Sequence, residues 1–218
     1  MGIKENLTKI KEQIGNNKVK IIAVTKYASK QQIDEAYKLG INNFGESYAQ
    51  DALKKITSEE SNRKLIHWHF IGRLQKNKVK YLIGKINLIH SVDSLELAQV
   101  INNISCKEGI IQDVLLQVNA SGEATKAGFY PTNLISIFPD LQKLQNIKIL
   151  GLMTIAPNTE DTKSIKDCFL VVSKLKDEIN KTYMTNITDI SMGMTGDYKI
   201  ALECGSTMIR LGRAIFKE

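Results

Sequence analysis

The chain has 218 residues, of which 43% are hydrophobic and 24% are charged, and its formal net charge is +7. This composition is typical of one folded domain and excludes a fibrous or largely disordered chain. The lysines are mixed with aspartate and glutamate along the whole chain rather than clustered, which argues against nucleic-acid binding and leaves a basic adaptor protein as an alternative.

The predicted elements alternate between amphipathic helices and apolar strands. A helix is predicted over residues 2–15, and the apolar, β-branched segment VKIIAVTKYA at 19–28 predicts a buried strand. The next helix has Ser29 as its N-cap and Gly40 at its end. Further strands are predicted within residues 41–47, 65–72, 85–93, 113–121, 147–156, 187–193 and 207–212, and further helices within 48–60, 74–82, 94–107, 131–144, 160–181 and 197–204.

Eight short strands that alternate with helices predict an α/β fold of the closed (β/α)8 kind, a TIM barrel. Continuous apolar runs suit parallel strands that are buried on both faces. An open, doubly wound sheet is the alternative, but the sequence has no GxGxxG or Walker A motif to favour it. In a barrel, functional residues are expected at the carboxyl ends of the strands.

Signals for export or membrane insertion are absent from the sequence. No apolar run approaches the roughly 18 residues that cross a bilayer, and the first residues, MGIKENLTKI, lack the apolar centre of a signal peptide. The three cysteines, Cys106, Cys168 and Cys204, have no spacing typical of a zinc site or a redox pair. We therefore expect a single cytoplasmic domain over residues 1–218, with reduced thiols that serve packing and no membrane partner.

Lys26 closes the first predicted strand. Burial there would disfavour the ammonium form, so Lys26 could supply the neutral amine that attacks an aldehyde. Since lysines occur throughout the chain, the alternative is a surface lysine that merely ends a strand.

Two glycine-containing loops follow the last two strands. SMGMTGD at 191–197 and RLGRA at 210–214 each precede a helix, and small residues there let backbone N–H groups approach a phosphate. In many barrels the loops after strands seven and eight form the phosphate site. The alternative is that these glycines only end or begin helices.

Three polar residues lie on predicted strands. Arg210 needs a partner inside an apolar strand, and a buried carboxylate or a ligand would serve equally. His67 and His69 share one face of their strand, which is the arrangement of a metal-binding pair. Because no convincing third ligand is present, we expect packing or ligand-edge histidines and no metal.

Seven segments, taken in chain order, closely resemble one family. They are AVTK at 23–26, FGES at 44–47, WHFIGRLQKNK at 68–78, SVDS at 91–94, GLMTIA at 151–156, SMGMTGD at 191–197 and GSTMIRLGRAIF at 205–216. The chain resembles the pyridoxal phosphate homeostasis family, whose members are single-domain relatives of the alanine racemase N-terminal barrel. The resemblance covers almost the whole chain and implies that the cofactor is pyridoxal 5′-phosphate (PLP).

The resemblance also implies roles for individual residues. It implies that Lys26 holds PLP as a Schiff base and that Arg210 faces the pyridine nitrogen. Further phosphate or pocket contacts are implied for Ser47, Met192, Met194, Thr195, Ser206, Thr207, Gly212 and Arg213. The family commonly has asparagine where Ser47 stands here, so this side chain has a shorter reach.

By the same resemblance, the function is intracellular homeostasis of PLP (vitamin B6) and of linked amino-acid pools. PLP would be the cargo, and apo PLP enzymes would be partners. A racemase needs acid/base groups on both faces of the substrate carbanion, whereas Lys26 serves only one. A cation at the pyridine nitrogen also weakens the electron sink. We expect no catalytic residues, and the alternative is a small PLP-dependent enzyme such as a weak racemase that uses Tyr48 or Tyr198.

Overall fold

A computed structural model describes residues 2–59 and 66–217 of the chain. Its strands are β1 (Lys20–Val24), β2 (Asn43–Glu46), β3 (His67–Phe70), β4 (Leu88–Val92), β5 (Gln112–Gln117), β6 (Ile147–Met153), β7 (Asp189–Ser191) and β8 (Met208–Leu211). Its α-helices are α1 (Ile3–Ile14), α2 (Lys30–Lys38), α3 (Ala49–Glu59), α4 (Leu95–Lys107), α5 (Pro131–Gln142), α6 (Thr162–Tyr183), α7 (Tyr198–Glu203) and α8 (Arg213–Phe216).

The strands form a closed parallel barrel in chain order, in which β8 pairs with β1. The register places Lys20 beside Met208 and Ala23 beside Leu211, so the amino ends of β1 and β8 lie at the same end of the barrel. The predicted (β/α)8 barrel is confirmed, and the open sheet is wrong. In the part of the chain that the structure describes, no helix is both long and apolar enough to cross a membrane.

The core has two layers because each strand points alternate side chains to opposite sides. A large apolar cluster fills the space between the strands and the helices. A small cluster inside the barrel contains Ile22, Leu88, Leu115, Met153 and Met208. The remaining interior positions include polar side chains, which form the site described below.

Local sequence signals explain several element boundaries. The side chain of Ser29 accepts a hydrogen bond from the backbone N–H of Gln32, and the Gln32 side chain accepts one from the Ser29 N–H, which completes a capping box at α2. Ser94 caps α4 in the same manner, by accepting from the N–H of Leu97. Both predicted N-termini are therefore confirmed.

Some predicted boundaries differ from the structure. The first strand ends at Val24, not at residue 28, so Lys26 lies beyond it in a turn. The segment predicted as a helix at 74–82 is a 3-10 helix over Lys76–Tyr81. The predicted elements at 48–60 and 65–72 extend to residues 60 and 65, which lie outside the described residues.

The cysteines are unpaired, as expected, but they differ in exposure. Cys168 and Cys204 are buried, which suits packing thiols, whereas Cys106 is exposed. Burial raises the pKa of the Cys168 and Cys204 thiols above the usual value. These two side chains therefore behave as small apolar groups of the core.

The barrel depends on a close approach of β6 and β7 at Gly151. A Cβ atom there would lie 1.8 Å from the carbonyl oxygen of Asp189, which is backbone and cannot move aside cheaply. We expect Gly151→Ala to lower the free energy of unfolding by about 3 kcal/mol, measured by urea denaturation. The control, Gly196→Ala, meets nothing within 4 Å and should change stability by less than about 0.5 kcal/mol. Equal stability of the two variants would contradict this packing.

Candidate functional site

Lys26 lies at the carboxyl end of the barrel, in a turn closed by a hydrogen bond from the Ala28 N–H to the Thr25 carbonyl (2.9 Å). Its side chain is exposed, and its Nζ lies 4.8 Å from the centre of the Tyr27 ring. The expected desolvation of this lysine is therefore wrong, because the strand ends two residues earlier. The amine instead faces solvent.

The residue before Lys26 is held by a partly buried ion pair. The Nζ of Lys55 donates to the Glu46 carboxylate and to the Thr25 carbonyl, each at 2.5 Å, and the Thr25 hydroxyl donates to the same carboxylate oxygen. Thr25 and Glu46 are fully buried. This clamp fixes the backbone that carries Lys26. Sequence reasoning missed it, since α3 brings Lys55 to the end of β1 only in the folded chain.

A cavity of about 540 Å³ brings Lys26 together with the loop after β8. It lies between the end of β1, the start of α2 and α8. Its lining residues are Val24, Lys26, Tyr27, Ala28, Gln32, Gly212, Arg213, Phe216 and Lys217. This cavity therefore contains the Lys26 amine, the exposed Arg213 guanidinium and the backbone around Gly212.

The loop after β7 packs against the start of α8. The Thr195 hydroxyl accepts a hydrogen bond from the Ala214 N–H at 3.4 Å, and the Asp197 carboxylate accepts one from the Met194 N–H at 2.5 Å. Gly193 has φ +93°, a conformation that favours glycine, and a Cβ there would lie 2.6 Å from that of Ala201. The two predicted phosphate loops therefore meet.

Arg210 is buried inside the barrel at the carboxyl ends of β6 and β7. Its Nη1 donates to the carbonyl and the hydroxyl of Ser191 at 2.8 and 2.7 Å, and its Nη2 donates to the Thr154 carbonyl at 2.9 Å. The sequence predicted either a buried carboxylate or a ligand as the partner of Arg210. In the structure, two backbone carbonyls and the Ser191 hydroxyl accept these hydrogen bonds instead. Burial lowers the pKa of Arg210 to about 10, and the charge of Asp197 opposes this shift.

Two histidines form a buried pair inside the barrel. The Nδ1 of His69 lies 2.9 Å from the Nε2 of His90, and the Nε2 of His69 lies 3.0 Å from the side-chain oxygen of Asn43. Both His69 nitrogens therefore have partners within the chain, whereas His67 is exposed. Within the described ranges, no group of three or more His, Cys, Asp or Glu residues could hold a metal ion.

The structure separates several predicted contacts from Lys26. Ser206 and Thr207 lie before β8, at the amino end of the barrel, where the Thr207 carbonyl accepts from the N–H of Lys20. The Ser206 hydroxyl bonds to backbone carbonyls, including that of Met192 at 2.8 Å. These two residues stabilise the strand ends and do not reach Lys26, since the whole of β8 lies between.

The other predicted contacts lie at different depths. The Met192 side chain is fully buried in the core between strands and helices, whereas Met194 is exposed on the loop after β7. Ser47 lines a second cavity, of about 1230 Å³, beside the ends of β2, β3 and β4. Sequence adjacency alone does not distinguish these positions, because neighbouring loop residues point in different directions.

The two tyrosines considered as a second base differ in location. Tyr198 is buried, and its hydroxyl donates to the side-chain oxygen of Gln13, between α7 and α1 outside the barrel. Burial raises the pKa of Tyr198 above the usual value. Tyr48 is exposed and lines the larger cavity at the barrel mouth with Ser47. The Tyr198 hydroxyl is therefore directed away from the barrel interior, whereas Tyr48 is accessible at the ends of β2, β3 and β4.

Comparison with known proteins agrees with this architecture. The family model described as alanine racemase, N-terminal domain, matches residues 2–218. The pyridoxal phosphate homeostasis protein of Aquifex aeolicus is 40% identical over 98% of this chain and 97% of its own length. That of Synechocystis sp. is 39% identical over 91% of this chain and 90% of its own.

Solved structures with the same fold include a member of this family and an alanine racemase. PipY of Synechococcus elongatus, solved with PLP bound, has a TM-score of 0.90 at 32% identity and covers 98% of this chain and 99% of its own. An alanine racemase of Clostridium difficile has a TM-score of 0.81 at 19% identity. This chain spans 56% of that racemase, and the likeness shows a shared fold.

Acid should destabilise the protein through its buried histidines. Burial lowers the pKa of His69 from 6.5 to about 3 and that of His90 well below 6.5, so the unfolded chain binds protons that the fold does not. Their contribution is complete above pH 6.5 and is lost as the pH falls toward the folded pKa. We expect a loss of about 1.6 kcal/mol from His69 between pH 6.5 and 5 in urea unfolding, with His90 adding a loss of the same sign.

The matched variants are His69→Gln and His67→Gln. The first removes one buried histidine and should lose the part of the pH dependence that His69 contributes, whereas the second changes an exposed side chain and should keep the dependence of the buried pair. Unfolding curves of His69→Gln with the full pH dependence of the unchanged protein would contradict the burial argument.

Proposed function

The chain belongs to the alanine racemase N-terminal domain family and, within it, to the pyridoxal phosphate homeostasis proteins; we propose that it binds PLP. Its role would be the intracellular homeostasis of PLP and of linked amino-acid pools. The observation that carries this proposal is the cavity shared by Lys26, Gly212 and Arg213. It combines an amine for an aldehyde with a cation and backbone groups for a phosphate.

The residues present fit PLP. Lys26 would hold PLP through its amine, which is the group that an aldehyde condenses with, water being the leaving group. The exposed Arg213 guanidinium lines the same cavity and offers donors to phosphate oxygens. Thr195 and the backbone of Gly212 lie beside it across the contact between the two loops. Bound PLP supplies an electrophilic aldehyde and a conjugated ring at this end of the barrel.

Arg210 supports a role in holding PLP rather than in carbanion chemistry. The family resemblance puts Arg210 at the pyridine nitrogen, where a guanidinium would oppose protonation of the ring and so weaken its capacity to accept electrons. The exposure of Lys26 favours exchange of PLP with solvent. We infer a cytoplasmic carrier of one domain, residues 1–218, that has PLP as cargo and apo PLP enzymes as acceptors.

Replacement of Lys26 tests the Schiff base. Purified protein is mixed with PLP, reduced with borohydride and digested, and mass spectrometry locates the pyridoxyl group. We expect it on the Lys26 peptide of the unchanged protein and of Lys30→Ala, since Lys30 is an exposed lysine that does not line the cavity. Lys26→Ala should lose both the label and the visible absorbance band. Equal labelling of Lys26→Ala would disprove the assignment.

A second candidate is a small PLP-dependent enzyme, and the position of Tyr48 at the barrel mouth favours it. We expect the carrier, and therefore no exchange of amino-acid Cα hydrogens with solvent deuterium above the rate of free PLP. Nuclear magnetic resonance of a panel of amino acids measures this exchange. Exchange that exceeds the free-PLP rate and is lost in Tyr48→Phe would favour the enzyme instead.

A further inference from the structure

A continuous line of hydrogen-bonded side chains crosses the interior of the barrel. It joins Asn43 on β2, His69 on β3, His90 on β4, Ser191 on β7 and Arg210 on β8. Its successive distances are 3.0, 2.9, 2.9 and 2.7 Å. The two histidines, Ser191 and Arg210 are all buried, so solvent does not substitute for the three bonds among them.

Asn43 sets the direction of the line. Its side-chain nitrogen donates to the side-chain oxygen of Asn42 at 2.6 Å, which orients its own oxygen toward the Nε2 of His69. An amide oxygen only accepts hydrogen bonds. The Nε2 of His69 must therefore carry a hydrogen.

Both histidines are neutral in this environment. Burial lowers their pKa, and the charged groups that act on them, Lys20, His67 and Arg210, are all cationic when ionised and disfavour a second positive charge. A neutral imidazole has one donor and one acceptor nitrogen. The Nδ1 of His69 is thus an acceptor, and the Nε2 of His90 is the donor facing it.

The same argument determines the role of Ser191. With its hydrogen on Nε2, His90 accepts at Nδ1, and the group that faces this nitrogen at 2.9 Å is the Ser191 hydroxyl. The single hydroxyl hydrogen of Ser191 is used in this bond. Its oxygen is therefore left to accept from the Nη1 of Arg210 at 2.7 Å.

We propose that Asn43, His69, His90 and Ser191 form a one-directional hydrogen-bond relay that holds the Ser191 oxygen as an acceptor and so positions Arg210. The reverse direction requires the Asn43 amide to turn so that its nitrogen donates to His69, and its oxygen then faces the Asn42 oxygen, two acceptors without a hydrogen between them. The relay fixes the plane of the guanidinium together with the carbonyls of Ser191 and Thr154. Ser191 and the histidines are positioning residues for Arg210.

The first test reads the direction of the relay in the protein without ligand. Two-bond nitrogen–hydrogen correlation spectra of protein labelled with nitrogen-15 identify which nitrogen of each histidine carries the hydrogen. We expect the hydrogen on Nε2 of both His69 and His90, at neutral pH. A hydrogen on Nδ1 of either ring, or an imidazolium, overturns the proposal.

Variants of Asn43 test what sets the direction. Asn43→Leu removes the acceptor at the half-buried start of β2, and we expect His69 to lose its single tautomer. The control, His67→Gln, changes an exposed side chain on the same strand as His69 and leaves both Asn42 and Asn43 in place, so the tautomers should persist. Unchanged tautomers in Asn43→Leu would show that this residue does not direct the relay.

The effect on Arg210 rests on the proposed PLP function and is tested by titration with PLP. Ser191→Ala removes one charge-assisted bond of Arg210, and we expect PLP affinity to fall about tenfold, with a shift of the visible absorbance band. Ser191→Thr keeps a hydroxyl at this position and should restore both to within about threefold. Affinity and absorbance equal to those of the unchanged protein in Ser191→Ala would overturn the positioning of Arg210.

The two tests separate the relay from the proposed function. If the unchanged protein does not bind PLP, the proposed function fails, and the histidine spectra still decide the relay. If Ser191→Ala does not fold, Asn43→Leu takes its place in the titration, because its substitution is at the barrel edge. Retained PLP affinity and absorbance in that folded variant would then overturn the positioning of Arg210.

Discussion

A guanidinium buried inside a closed barrel needs acceptors for its hydrogen atoms, and this requirement organises the candidate site. Desolvation of an unpaired charge is expensive, so Arg210 is tolerated only because β6 and β7 end where Thr154 and Ser191 offer oxygens to it. The closed barrel supplies these acceptors from two strands at once. The interior is consequently part apolar cluster and part polar line, rather than the apolar packing common in TIM barrels.

The carboxyl end of the barrel combines a rigid base with an accessible amine. Below Lys26, the pair of Lys55 and Glu46 holds the Thr25 backbone in a buried, hydrogen-bonded clamp. Above it, the Lys26 side chain faces solvent beside the loop that contains Gly212. A fixed backbone with an open approach suits the proposed binding and release of a ligand at Lys26.

Much of the architecture was predictable because it depends on local patterns. Alternation of apolar strands and amphipathic helices led to the (β/α)8 barrel, and the caps at Ser29 and Ser94 began helices where the sequence places them. The loops containing Thr195 and Gly212 were also expected at one end, and they meet there. The length of the first strand was predicted wrongly, since apolar character continues past Val24 while the backbone turns.

The sequence by itself determined the order of strands and helices and the family resemblance, and it led to the prediction that Lys26 is an attachment point. Only the tertiary structure decided which side chains meet. Ser206 and Thr207 precede β8 and lie at the barrel end opposite to Lys26. His90 contacts Ser191, which is 101 positions away in the chain. The physical reason is that strand periodicity specifies the face on which a side chain lies. Its partner across a closed barrel depends on the register and spacing of strands that are distant in sequence.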